Sequence, residues 1–250
     1  MFSYFKKPKL ASTALVMAGL LSLLVFGIIT FLLSANFNYQ NAPKNYTGEK
    51  FLMKNTATVL DPMITKNPGL KEILAGPIIS DRDPSLGSAA SPITIVLFSD
   101  FTCNYCQKQE AELKKLLATY QDKIQMIWKD YPENKYESTS YQAALAARCA
   151  FEQNKFWSFH DLLFQAGSKM DSKTYYSIAK TVALDMPKFE KCFAGGQTKK
   201  YIEDNITEAN ALEINGVPFI YVNDQEIMGT ASLTELESII KLELSKQSRK

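Results

Sequence analysis

What this chain of 250 residues lacks narrows its chemistry first. It has one histidine, His160, so a metal cage built on several imidazoles is excluded. It has four cysteines, few for a scaffold held together by disulfides, so their spacing carries the information. It has almost no charge excess: 28 basic side chains against 26 acidic ones leave +2. Nucleic-acid binders carry a basic stripe or surplus, and this balance gives no reason to expect one. Internal repeats and low-complexity tracts are absent. A mean hydropathy of −0.14 excludes a multi-span membrane protein. At 46% hydrophobic and 22% charged, the composition also excludes wholesale disorder.

What is present begins with one very apolar segment. Residues 11–35 carry no charge and consist mainly of Leu, Val, Ile, Phe, Ala and Gly. About 20 residues suffice to cross a bilayer core. Lys6, Lys7 and Lys9 precede the run, and the next basic residue is Lys44. Positive charge stays inside, so residues 1–10 are expected in the cytoplasm and everything after the helix outside. A cleaved signal is the competing reading. It would want a shorter apolar region and a better small-residue site than Leu33-Ser34-Ala35. Both readings export the remainder. Residues 36–75 read as a stalk and 76–250 as the folded part. Asn45-Tyr46-Thr47 and Asn205-Ile206-Thr207 fit the glycosylation triplet, a pattern that arises often by chance.

The folded part alternates in character. Ile93-Thr94-Ile95-Val96-Leu97-Phe98 suits a strand buried on both faces. After Cys103-Asn104-Tyr105-Cys106, the residues Leu113, Leu116, Leu117 and Tyr120 recur at helical spacing. The C-x-x-C therefore sits where a strand ends and a helix begins. Residues 124–131 make a second strand, and about 137–210 a helical block. Phe219-Ile220-Tyr221-Val222 and residues 225–228 make a hairpin, and 233–244 a closing amphipathic helix.

A helix start stabilises a thiolate through its unpaired N–H groups and dipole. Cys103 in the first turn is thus the expected nucleophile. Cys106, one turn deeper, is placed to resolve the mixed disulfide. An inert staple or half of a zinc site are the alternatives. Zinc needs two more ligands, and neither Cys149 nor Cys192 has a paired cysteine or histidine at short spacing.

This order of elements resembles the DsbA-like thiol oxidoreductases of the thioredoxin superfamily over about residues 76–244. The resemblance rests on residues 95–106 with Asp100, on Trp128-Lys129-Asp130-Tyr131-Pro132, on Cys149 with Phe156-Trp157-Ser158-Phe159-His160, and on Val217-Pro218. It implies an α/β thioredoxin fold with an inserted helical domain, preceded here by one transmembrane helix. It implies that Pro218 is a cis-proline facing the cysteines, with Val217 and Tyr105 binding an extended client segment. It implies oxidation of reduced exported client proteins, without organic cofactor or metal. Re-oxidation then falls to a membrane redox partner of the DsbB or vitamin-K-epoxide-reductase type. A disulfide reductase or isomerase is the rival activity, and a non-catalytic peptide-binding or chaperone-like module the rival class. Strongly oxidising relatives place Pro and His between the cysteines; Asn104 and Tyr105 stand here, which points to a moderate oxidant.

Four residues complete the candidate set. Cys149 and Cys192 lie in the helical block, and leftover thiols of an exported protein are expected to pair in a structural disulfide. Two buried free thiols are the alternative. Asp100 and Glu110 are candidate proton relays, although Glu110 equally suits a solvated helix face. His160, among Phe156, Trp157, Phe159 and Leu162, reads as a core or helix-surface residue.

Overall fold

The computed structural model describes residues 76–133 and 135–247. The anchor expected at 11–35 and the stalk at 36–75 lie outside the described residues. Among those described, no helix is long and apolar enough to cross a membrane.

One sheet of five described strands runs β1-β3-β2-β4-β5, where β1 is Ser85–Leu86, β2 Ile93–Ser99, β3 Ile124–Asp130, β4 Phe219–Val222 and β5 Gln225–Met228. The apolar, β-branched run of β2 takes the centre of this sheet. It pairs in parallel with β3, from Ile93↔Ile124 to Ser99↔Asp130, and antiparallel with β4, from Ile95↔Val222 to Phe98↔Phe219. Side chains alternate across a strand, so β2 serves two cores. Ile93, Ile95 and Leu97 join the larger one with Leu113, Leu116, Trp128 and Phe159. Val96 and Phe98 join a smaller one with Ala209, Leu212, Ile214 and Tyr221. The sheet ends in short edges. β1 has two residues, and β5 has four, with Glu226 and Met228 pointing outward.

Helix α1, Asn104–Tyr120, follows β2 directly. The block between β3 and β4 holds α2 Thr139–Phe151, α3 Phe156–Ala166, α4 Ser172–Thr181, α5 Met186–Gly195 and α6 Lys199–Ala211. Helix α7, Leu233–Gln247, packs on α1 and β2. Local chemistry starts and stops these helices. The Ser138 hydroxyl accepts from the Tyr141 N–H at the start of α2, and Asp171 forms a capping box with Thr174 at α4. Gly196 ends α5 at φ +57°, a region where a Cβ is strained. The disulfide between Cys149 and Cys192, 43 residues apart in sequence, joins α2 to α5.

Several charged residues are buried under this block. Arg148 on α2 donates to Asp130, to the Asn205 side chain at 2.7 Å and to the Arg82 carbonyl. Trp128 Nε1 donates to the other Asp130 oxygen at 2.7 Å. Lys129 Nζ sits 2.8 Å from Asp83 and 2.9 Å from Glu208. Burial raises the Glu208 pKa against the pull of the Lys129 ammonium. Asn205 is itself buried in the network, which removes its triplet from glycosylation chemistry.

Candidate active site

Cys103 caps α1. Its sulfur accepts from the Cys106 N–H at 3.3 Å, one of the donors that a helix start leaves without an internal partner. From the opposite side, the Cys103 thiol faces the Val217 carbonyl oxygen at 3.8 Å. The Val217–Pro218 bond is cis. Both cysteines are free thiols; Cys103 is half-buried and Cys106 is 1% exposed. Burial pushes the Cys106 pKa far up and the Cys103 side chain adds to the rise, while the Ser99 hydroxyl and the Asp100 backbone oppose it. The turn therefore holds two sulfurs of different character. One is reachable and hydrogen-bonded by a backbone N–H, and the other is sealed and kept protonated.

Tyr105 is 64% exposed beside the turn, with the Lys108 ammonium 5.6 Å from its ring centroid. Met228, at the end of β5, is 76% exposed. The next N–H, of Gly229, donates to the Pro218 carbonyl at 2.9 Å. An open groove of about 540 Å³ continues from there over Ile227, Met228, Ala231 and Ile239.

Asp100 shapes the approach to Cys103. Its Oδ1 accepts from the Thr102 N–H at 2.7 Å and from the Thr102 hydroxyl at 2.9 Å. Its Oδ2 accepts from the Ser140 hydroxyl at 2.6 Å, and its carbonyl from the Cys103 N–H at 3.2 Å. Thr102 and Ser140 were not among the candidates; the Asp-x-Thr spacing, an Asx-turn signal, would have found the first. Glu110 is 3% exposed, so its reading as a solvated helix residue is overturned. It lies on the inward stripe of α1 with Cys106 and Leu113. Its Oε1 is 3.5 Å from Nε2 of His160. His160 is a core residue, 1% exposed, ringed by Phe101, Trp128, Phe156, Trp157 and Phe164. Burial works against its charged form, but the carboxylates of Glu110 and Asp161 outweigh it and raise the pKa. Among the described residues no cluster of His, Cys, Asp and Glu could hold a metal ion.

Known proteins similar to this chain carry the same segment. It is 27% identical to the Na(+)/H(+) antiporter NhaA 3 of Salinispora tropica over 164 residues, 66% of this chain and 25% of that protein. The chain thus spans about a quarter of the length of such relatives. It is 27% identical over 173 residues to a probable disulfide bond formation protein D of Bacillus anthracis, covering 65% of this chain and 78% of that one. Among solved structures, the catalytic domain of Proteus mirabilis ScsC superposes with a TM-score of 0.58 at 23% identity, over 66% of this chain and 90% of that domain. That likeness shows a shared α/β fold with a helical insertion. The Thioredoxin_4 family model, described as thioredoxin, matches residues 80–242, well over half of the sequence. The chain belongs to this thioredoxin family.

Proposed function

We propose that this protein is an extracytoplasmic thiol–disulfide oxidoreductase that donates a Cys103–Cys106 disulfide to reduced exported proteins. The observation that carries the reading is the position of the Cys103 sulfur, between the Cys106 N–H at 3.3 Å and the Val217 carbonyl at 3.8 Å. A client thiolate attacks Cys103, because Cys106 is sealed from solvent. The client's extended backbone pairs beside Val217, and its side chains reach Tyr105 and the groove past Met228. A backbone N–H and the helix start stabilise the Cys103 thiolate left after release. Re-oxidation requires an outside electron acceptor, and a membrane enzyme linked to quinone fits a domain whose apolar residues 11–35 are expected from sequence to anchor it.

Stabilising the thiolate stabilises the reduced form, and a protein with a stabilised reduced form is an oxidant. The decisive experiment equilibrates the full-length protein with glutathione buffers and measures its potential. A value well above about −270 mV, with catalysed oxidation of a reduced, unfolded client, supports the disulfide-donor direction. A value near about −270 mV, with turnover in an insulin-reduction assay, moves the assignment to a reductase. No turnover in either assay makes the domain a binding module.

A further inference from the structure

Disulfide donation leaves a charge in a place that cannot keep it. When a client thiolate bonds to the Cys103 sulfur, the Cys103–Cys106 bond breaks and its electron pair leaves on the Cys106 sulfur. That sulfur is 1% exposed, and burial strongly favours its protonated form. A proton must arrive where water does not. In the reverse direction, the same proton must leave before Cys106 can attack.

The Ser99 hydroxyl neighbours Cys106 but carries no proton that ionises near neutrality, so a route must reach an acid. Glu110 follows Cys106 by four residues on the inward stripe of α1, so the two side chains lie on one face, about 5–6 Å apart at Cβ. Its Oε1 is buried and makes no hydrogen bond. It lies 3.5 Å from Nε2 of His160, which is also buried and makes none. Buried polar atoms without a partner are costly, and two facing each other under a redox turn call for an explanation. The second imidazole nitrogen, Nδ1, lies 3.0 Å from Asp161 Oδ1. Asp161 is 31% exposed and pairs with Lys114 at the surface, at 3.0 Å. An imidazole can take a proton at one nitrogen and release one from the other. Asp100 offers no such route, since both its carboxylate oxygens are already engaged by Thr102 and Ser140.

We propose that Glu110, His160 and Asp161 form a proton route between Cys106 and solvent, with His160 as the positioning residue that carries the proton across the aromatic core. This rests on the thiol-exchange reading. On client attack, the His160 imidazolium gives its Nε2 proton to the Glu110 carboxylate, which passes it to the leaving Cys106 thiolate, and solvent recharges the imidazole at Nδ1 by way of Asp161. The client sulfur is oxidised into a mixed disulfide with Cys103, the Cys106 sulfur is reduced to a thiol, and one proton is taken up. The charged groups facing His160 are Glu110 from α1 and Asp161 from its own helix, with Lys114 of α1 paired to Asp161. From β3 it faces the Trp128 indole, whose N–H is donated to Asp130. The two carboxylates hold the imidazolium to a higher pH than an ordinary histidine, which suits a proton donor near neutrality.

The test follows reduction of the oxidised full-length protein by glutathione, with acid quench and alkylation, as a function of pH. One thiol serves all variants, so differences between profiles report the protein. His160→Gln is expected to slow the reaction about 10²-fold below the wild-type inflection and to remove that inflection. Asp161→Asn, a half-exposed change that spares the core, is expected to move the inflection to lower pH because one acid supporting the imidazolium is lost. If His160→Gln does not fold, Asp161→Asn decides alone: a shift upholds the route and an unmoved inflection overturns it. Superimposed profiles for wild type and folded variants overturn the route while exchange itself stands. A wild-type disulfide that exchanges with no thiol overturns both readings.

Discussion

The two cysteine pairs are made of the same atoms and set in opposite surroundings. Cys103 and Cys106 are three residues apart, on the first turn of a helix, with one sulfur held between a backbone N–H and a carbonyl. Cys149 and Cys192 join two helices of the inserted block, and both are buried. The second pair is sealed inside the block, where the Thr198 hydroxyl lies 3.9 Å from the Cys149 sulfur. In the proposed chemistry, reactivity comes from where a helix starts and from what faces it. Burial alone makes an inert bridge.

Changes at the two pairs should therefore separate cleanly. Cys103→Ser should abolish exchange, whereas Cys106→Ala should retain attack and accumulate mixed disulfides with clients, visible as adducts on non-reducing gels. Adducts that depend on Cys106 rather than Cys103 would reverse the assigned roles. Next in size is Arg148→Met beside the bridge. It leaves Asp130 buried without its cation and should cost about 3–5 kcal/mol in urea unfolding. Replacing both bridge cysteines, Cys149→Ala with Cys192→Ala, should cost about 2–4 kcal/mol and leave the potential of the redox pair unchanged. A changed potential would show that the two pairs are coupled. The smallest effect sharpens the redox side. Tyr105→His adds a cation beside Cys103, worth roughly 0.3–2 kcal/mol, and should raise the potential by about 5–45 mV against glutathione. A lower potential would contradict the charge argument.

Much of this was legible from residue order. The run of residues 93–98, then the C-x-x-C, then leucines at helical spacing, placed Cys103, the proposed nucleophile, at a strand-to-helix junction. The hairpin was legible from Asn223-Asp224, and Asn223 indeed takes a positive φ of 51° there. Strand β1 was not legible, because two residues show no alternation. Helix α6 was swallowed in the helical block, since its inward face includes Asn205 as well as Ile202, Ile206 and Ala209. The buried charges were the least legible of all. Residue order assigns Lys129, Asp130 and Arg148 no partners; only folding brings Asp83 and Glu208 to Lys129 and Asp130 to Arg148. Glu110 and His160 belong to different helices, and only packing brings them to 3.5 Å.

The short edges of the sheet bear on what happens when many copies share a crowded surface. A sheet with long, flat, apolar rims invites another chain to add as the next strand and start a stack. Here one rim is two residues long, and the other is four residues with an outward Glu226. Each offers too few unpaired backbone groups to template growth, and the acidic side chain repels its own copy. If the protein acts on unfolded clients, as proposed above, these short rims would keep it from joining their aggregates along its own sheet.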